Sequence, residues 1–212
     1  MLAVSKTFGP DAVRQAHAAG QTAFGENYVQ EGVEKIALVA ESLPRSAIEW
    51  HCIGPVQSNK TRLVAAQFDW VQSIDRLKIA QRLSEQRPAD LPPLNVCLQV
   101  NVDGGPNKAG VTPAELPALA DAVAALPGLR LRGLMCIPEP APDFEAQRAL
   151  FLRAREAYDD LRVRGHELDT LSMGMSEDLE AAVAAGATMV RVGRAVFGAR
   201  EPKLSPVTSP VA

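Results

Sequence analysis

Lys6 ends a short apolar run, Met1-Leu2-Ala3-Val4-Ser5, where a lysine serves no packing purpose. Its competing reading is a solvated lysine at a strand end. In a desolvated setting the charged form of an amine is disfavoured, which makes it a better nucleophile toward an aldehyde. Two segments far along the chain have the makings of an anion site: Ser172-Met173-Gly174-Met175-Ser176 and Arg191-Val192-Gly193-Arg194. Gly174 and Gly193 let backbone come close to a ligand. Ser176 offers a hydroxyl where a helix N-terminus would present unsatisfied N–H groups. Arg191 adds a third element. Set against the nitrogen of a pyridine ring reaching from Lys6, a guanidinium would keep that nitrogen unprotonated, because it does not give up its proton. A neutral pyridine is a weak electron sink, which argues against vigorous amino-acid chemistry. The alternative for Arg191 is a buried ion pair with Glu26.

These residues need a scaffold that brings chain positions 6 and 191 together. Eight short apolar runs read as strands, at 2–5, 23–25, 49–53, 70–74, 95–101, 131–137, 170–173 and 189–192. The run Asn95-Val-Cys-Leu-Gln-Val-Asn101 is nearly continuous in apolar residues, as parallel strands covered on both faces are. Between the strands lie helical patterns. Thr112-Pro113-Ala114-Glu115 is a capping-box signature, with Leu116, Leu119, Ala120 and Val123 on the buried face that follows. Pro117, early in that helix, is expected to remove one backbone hydrogen bond. From 176 to 186, Leu179, Ala182, Val183 and Gly186 form a stripe, with Ser176 placed as the cap. Residues 57–67, 76–87 and 144–164 are the other clear helices.

Eight strand–helix repeats imply an α/β fold, a single parallel (β/α)8 barrel of the TIM type. It is expected to span 1–200, ahead of a disordered tail at 201–212 rich in Pro, Ser and Thr. Ligands in such barrels meet residues at the C-terminal ends of the strands. That rule adds Asn27 and Tyr28 after the second strand, His51 and the loop 54–60 at the third, and Met135 at the sixth. His51 reads equally as a structural or a ring-contacting residue. Tyr28, Met173 and Met175 read as packing, and Lys60 as a phosphate contact or a helix-surface residue.

The formal charge of −3 offers no broad attraction to nucleic acid or anionic membrane. No run reaches the roughly 20 apolar residues of a membrane span, and the N-terminus lacks a signal-peptide pattern. Cys52, Cys97 and Cys136 are odd in number, widely spaced and set in apolar runs. They read as small core residues in a reducing compartment, consistent with a cytoplasmic protein. Neither they nor the dispersed histidines have metal-site spacing, so no metal is expected.

The residues also carry a family resemblance. Ala-Val-Ser-Lys-Thr at 3–7, Phe-Gly-Glu-Asn-Tyr-Val-Gln-Glu at 24–31 and Glu-Trp-His-Cys-Ile-Gly-Pro-Val-Gln-Ser-Asn-Lys at 49–60 resemble the pyridoxal-phosphate homeostasis proteins. So do Arg-Gly-Leu-Met at 132–135, Leu-Ser-Met-Gly-Met-Ser at 171–176 and Met-Val-Arg-Val-Gly-Arg-Ala-Val-Phe-Gly-Ala-Arg at 189–200. That family is related to the barrel domain of alanine racemase and to the fold-type III group of pyridoxal-phosphate proteins. The resemblance implies pyridoxal 5′-phosphate as cofactor, held as a Schiff base on Lys6, with Arg191 at its ring nitrogen. It puts Ser176 and the Gly193–Arg194 backbone on the phosphate, and Asn27 beside the ring near its hydroxyl. The remaining contacts expected around the cofactor are His51, Met135 and Ser172. The implied role is in vitamin B6 and amino-acid balance without robust catalysis, with apo forms of pyridoxal-phosphate enzymes as possible recipients and a monomeric state.

Two departures from the family pattern stand out. Relatives carry a helix of a few dozen residues before the first strand, and its absence is expected to expose apolar surface on the outside of the barrel. Phe8 occupies a position where some relatives have a second lysine. Lys108 matches a family lysine proposed for a secondary cofactor contact. Two other functions compete. An amino-acid racemase needs a base on each face of the substrate carbon, and only Tyr28 and Tyr158 could supply a tyrosine. A phosphate-ligand barrel enzyme without this cofactor would need a carboxylate pair, for which Glu26 and Asp103 are the candidates.

Overall fold

Eight strands run parallel to one another: β1 (Leu2–Val4), β2 (Ala23–Glu26), β3 (Glu49–Cys52), β4 (Trp70–Ile74), β5 (Leu94–Gln99), β6 (Leu129–Met135), β7 (Thr170–Ser172) and β8 (Arg191–Val192). In this computed structural model, which describes residues 1–104 and 109–198, they form one sheet in the order β7-β6-β5-β4-β3-β2-β1-β8. A parallel bridge between Ser172 and Met189 joins the two ends and closes the barrel. The strand boundaries follow the apolar runs to within about two residues at most ends. Lys108 and the expected tail at 201–212 lie outside the described residues.

The helices α1 (Pro10–Ala18), α2 (Val29–Ala40), α3 (Thr61–Gln67), α4 (Leu77–Gln86), α5 (Leu116–Ala124), α6 (Phe144–Val163), α7 (Leu179–Ala184) and α8 (Arg194–Phe197) alternate with the strands. Strand residues separate by parity. Leu94, Val96 and Leu98 join the core between sheet and helices. Cys97 instead packs with Trp70 and Met135 in a separate apolar cluster inside the barrel. Phe151 of α6 is fully buried in the outer core. Truncating such a side chain to alanine costs about 3–5 kcal/mol. α6 starts at an N-cap whose Asp143 carboxylate accepts the Ala146 N–H at 2.8 Å.

The capping box forms in both directions. The Thr112 N–H reaches the Glu115 carboxylate at 3.0 Å, and the Glu115 N–H reaches Thr112 Oγ1 at 3.3 Å. Leu116, Leu119, Ala120 and Val123 are all buried beneath it. Pro117 falls in the first turn of α5, where its missing N–H has no intrahelical acceptor to lose, so the expected loss of a bond does not arise. α3 begins at Thr61 rather than 57, because residues 58–60 form a turn after Pro55.

α7 likewise begins later than expected. Ser176 lies in the turn ahead of it and does not cap it. The Asp178 carboxylate binds back to the Met175 N–H at 2.5 Å. The stripe is also rotated. Ala181, Ala182 and Ala185 are buried, while Val183 is 54% exposed. Small residues here let α7 lie close to the loop after β7, where a Cβ on Gly174 would stand 2.4 Å from that of Ala182.

Candidate active site at the barrel mouth

Lys6 sits two residues beyond β1, partly buried, at the second position of a turn closed by Phe8 N–H to Ser5 O at 3.1 Å. Period-two alternation puts Leu2 and Val4 of β1 on the interior face, and Lys6 follows them at the C-terminal end of the strand. Ala3 joins the outer core, and Ser5 binds Glu26. Asn27 follows β2 in the same interior phase and is partly buried. Its side-chain amide makes no hydrogen bond to another described residue. Gly54, after β3, lies so close to Asn27 that a Cβ there would stand 2.0 Å from the Asn27 carbonyl oxygen. Only glycine lets the β3 loop seat against the residue beside the mouth.

Arg191 is the decisive group. It is 4% exposed, and no carboxylate among the described residues pairs with it. Its guanidinium donates to Ser172 O at 2.9 Å, Ser172 Oγ at 2.8 Å and Cys136 O at 2.9 Å. Three of its five N–H groups are thereby used. Ser172 is the last residue of β7 and Cys136 the first after β6, so the guanidinium lies at the C-terminal side of the barrel. Met135, at the end of β6 and 1% exposed, packs with Trp70 and Cys97. The ion pair with Glu26 considered from sequence does not form, since Glu26 pairs instead with Lys35 at 2.6 Å. Burial lowers the Arg191 pKa from its ordinary value, yet a guanidinium keeps its charge. A buried cation answered only by carbonyls and a hydroxyl is a costly arrangement unless a ligand completes it.

His51 does not reach the mouth. It is fully buried inside the barrel, stacked on Trp70 with ring centroids 5.0 Å apart. Both its ring nitrogens are engaged. Nε2 meets Glu49 Oε1 at 2.8 Å, and Nδ1 meets Gln72 Nε2 at 2.9 Å. Ser172 Oγ in turn donates to Gln72 Oε1 at 2.7 Å. With Nε2 carrying the His51 proton, every donor in the series Arg191, Ser172, Gln72, His51 points toward Glu49. The series thus ends on an anion at the far rim. Burial holds His51 below the ordinary histidine value, and its hydrogen bond holds Glu49 below the usual carboxylate range. Gln72 and Glu49 were not singled out from sequence. The signal was a glutamine in the interior phase of an otherwise apolar strand, Trp-Val-Gln-Ser-Ile.

The loop after β7 adjoins the start of β8 through the Arg191 N–H to Gly174 O at 3.0 Å, and Gly174 takes φ +90°. Arg194 pairs with Glu177 of that loop at 2.6 Å. Ser176 is exposed in the same loop, and Gly193 opens the last helix. Phe8 stacks on Phe197 of α8 with ring centroids 5.0 Å apart, so it ties the Lys6 turn to that helix. Lys60 reaches Gln30 of α2 at 3.4 Å, a helix-surface contact. The residues of the two competing readings do not converge. Glu26 lies between the sheet and α2, and the Asp103 carboxylate accepts the Glu139 N–H at 2.7 Å. Tyr158 Oη donates to Leu168 O at 2.9 Å, next to the start of β7 and away from the mouth. A depression of about 1010 Å3 also lies at that far end, between α6 and the starts of β6 and β7. No helix among the described residues is long and apolar enough to cross a membrane, and no cluster of ligating side chains there could hold a metal ion.

Comparison with known proteins agrees with this fold. Residues 1–201 match the family model described as alanine racemase, N-terminal domain. The chain is 63% identical over 201 residues to the pyridoxal phosphate homeostasis protein of Pseudomonas aeruginosa, covering 95% of this chain and 84% of that one. It is 56% identical over 201 residues to the protein of the same name from Escherichia coli K12, covering 95% and 86%. Among solved structures, PipY of Synechococcus elongatus with pyridoxal phosphate bound superposes with a TM-score of 0.84 at 39% identity, over 93% of this chain and 92% of that one. Alanine racemase from Corynebacterium glutamicum, at 22% identity and a TM-score of 0.70, covering 99% of this chain and 57% of that one, shares the fold.

Proposed function

Because the chain belongs to the family of the alanine racemase N-terminal domain, we propose that it binds pyridoxal 5′-phosphate at the barrel mouth and serves in the homeostasis of that cofactor. The single observation that carries the reading is Arg191, a buried guanidinium without a carboxylate partner and with N–H groups to spare. It fits the nitrogen of an uncharged pyridine ring, an acceptor that needs no counter-charge. When bound, the cofactor supplies an aldehyde, which condenses with an amine with loss of water. Lys6 is the amine at the C-terminal end of β1 that would make this bond. Asn27 would lie beside the ring hydroxyl, and Ser172 holds Arg191 in place. Ser176 with the Gly193–Arg194 backbone would receive the phosphate. Met135 and His51 act indirectly, the first as packing and the second through Gln72 and Ser172.

A carrier rather than a racemase is the better reading. Tyr158 is committed to Leu168 O, and Tyr28 stands 60% exposed after β2. Among the described residues that leaves no tyrosine held opposite Lys6, and a ring nitrogen left unprotonated by Arg191 is a weaker electron sink for carbanion chemistry. On this reading the protein is a cytoplasmic monomer that supplies apo forms of pyridoxal-phosphate enzymes and has no robust turnover of its own.

The test is the visible absorbance of the purified protein and of Lys6→Ala, before and after borohydride. A yellow wild type whose chromophore is fixed by reduction on the Lys6 peptide is expected. A wild type that stays colourless with added pyridoxal phosphate would refute the assignment. An amino-acid racemisation assay on the yellow protein then separates carrier from racemase.

A further inference from the structure

Behind the Lys6 turn, on the outer side of the barrel, lies a group of buried charges that the site does not use. Lys35 of α2 is 4% exposed and Glu26 of β2 is fully buried. The Lys35 ammonium donates to Glu26 Oε1 at 2.6 Å, to Glu31 Oε1 at 3.2 Å and to the carbonyl oxygen of Ser5 at 2.8 Å. The Ser5 hydroxyl donates to the same Glu26 oxygen at 2.6 Å. Glu31 also accepts the N–H of Thr7 at 2.6 Å. The cluster therefore grips the residue on each side of Lys6.

What it grips is strained. Thr7 has φ +71°, and it is the non-glycine residue with a left-handed backbone among those described. It holds the third position of the Ser5–Phe8 turn, where a positive φ ordinarily calls for glycine. A β-branched residue there is disfavoured about tenfold or more. Such a conformation persists only where its surroundings over-determine it. Burying an ion pair seldom adds stability over an apolar replacement. Burial in fact pushes the Glu26 carboxyl up against the pull of Lys35. The cluster is thus a poor stabiliser and a good clamp.

We propose that Lys35, with Glu26 and Glu31, is a positioning device that holds the Ser5–Phe8 turn in its strained form and so aims the Lys6 amine at the cofactor aldehyde. This rests on the reading of Lys6 as the anchor. Releasing the clamp lets Thr7 relax to negative φ and turns the Lys6 side chain off its line. The Phe8–Phe197 stack stays, and so does the mouth on the β7 and β8 side. Formation of the carbon–nitrogen double bond therefore suffers while recognition of ring and phosphate does not.

The test compares two ligands on three proteins. Wild type, Lys35→Met and Glu31→Ala are titrated with pyridoxal 5′-phosphate and with 4′-deoxypyridoxine 5′-phosphate, which keeps ring and phosphate but has a methyl group in place of the aldehyde. Each variant is expected to bind the aldehyde about tenfold more weakly and the deoxy ligand within about twofold of wild type. The pKa of the imine, read from its absorbance, is expected to shift in both. Adding Thr7→Gly, which tolerates the turn without a clamp, should restore much of the loss. Equal losses for both ligands, or no loss for the aldehyde, overturn the proposal. Glu31 is partly exposed, so Glu31→Ala decides the matter by the same comparison should Lys35→Met fail to fold. A wild type that binds the deoxy ligand but forms no imine refutes Lys6 as anchor, and the clamp's role with it.

Discussion

Replacing Gln72 by leucine offers a direct measure of the donor series inside the barrel. Gln72 is fully buried and connects two groups that have no water to turn to. Leucine fills most of the same space. It leaves the His51 Nδ1 acceptor and the Ser172 hydroxyl without the partners they hold at 2.9 Å and 2.7 Å. Each orphaned buried group costs about 1–3 kcal/mol, and the apolar gain of leucine returns about 1 kcal/mol. The net loss should be about 3 kcal/mol, a large part of the ~5–15 kcal/mol typical of a domain. For a chain of this size that corresponds to about 6–12 °C in Tm. Urea melts of the apoprotein at neutral pH, with the m-value unchanged, would read it. In a His51→Phe background the Nδ1 acceptor no longer exists, so the same substitution should cost about 1–3 kcal/mol less. Losses that add to within about 0.3 kcal/mol would show that the residues do not work as a connected series.

Two further outcomes follow from the same interior. Arg191→Met removes an unpaired buried cation together with its hydrogen bonds. The apoprotein should lose no more than about 1 kcal/mol, or gain slightly, while cofactor absorbance is lost; a collapse of apo stability in urea melts would contradict the cost assigned to that cation. His51 is held below its ordinary value of 6.5 by burial. The folded state then takes up fewer protons than the unfolded state once the pH falls below that value. Stability should fall as the pH drops from 6.5, by up to about 1.4 kcal/mol per unit. His51→Gln should flatten the slope between pH 6.5 and 5.5, and an unchanged slope would mean that other groups set it. Glu49, held below 4.5, contributes stability that is fully present above that pH and is lost only as the pH falls through its lowered value.

The barrel was legible because each strand is a short apolar run bounded by polar or turn residues, and closure needs only their number and parallel sense. Lys6 and Arg191 were legible because charged residues in such runs have no packing reason to be there. The two roles left open for His51 were not separable because Glu49-Trp-His-Cys52 gives the strand but not how deep along the barrel its side chain lies; it stacks on Trp70 at the start of β4. Ser176 was read as a cap from its residue type, but the turn it sits in postpones the helix to Leu179. Lys35 went unnoticed although Val29, Gly32, Ile36 and Val39 mark the buried face it shares. Glu31 stands four residues before it on α2, but Ser5 and Glu26 come from other segments that no local spacing brings to it.

The seam of the barrel lies between β8 and its neighbours, held by two register pairs to β1 and a single bridge to β7. Lys6 follows the first strand and Arg191 begins the last, so β2 to β7 are all made between the synthesis of one and of the other. A nascent chain carries the lysine long before the arginine, and the two meet only after β8 has emerged and docked. A molecule that bridges the two would fasten the seam like a clasp, and no fragment lacking the last strand could wear it. Occupancy of the site would then report that the barrel had been built to its final strand.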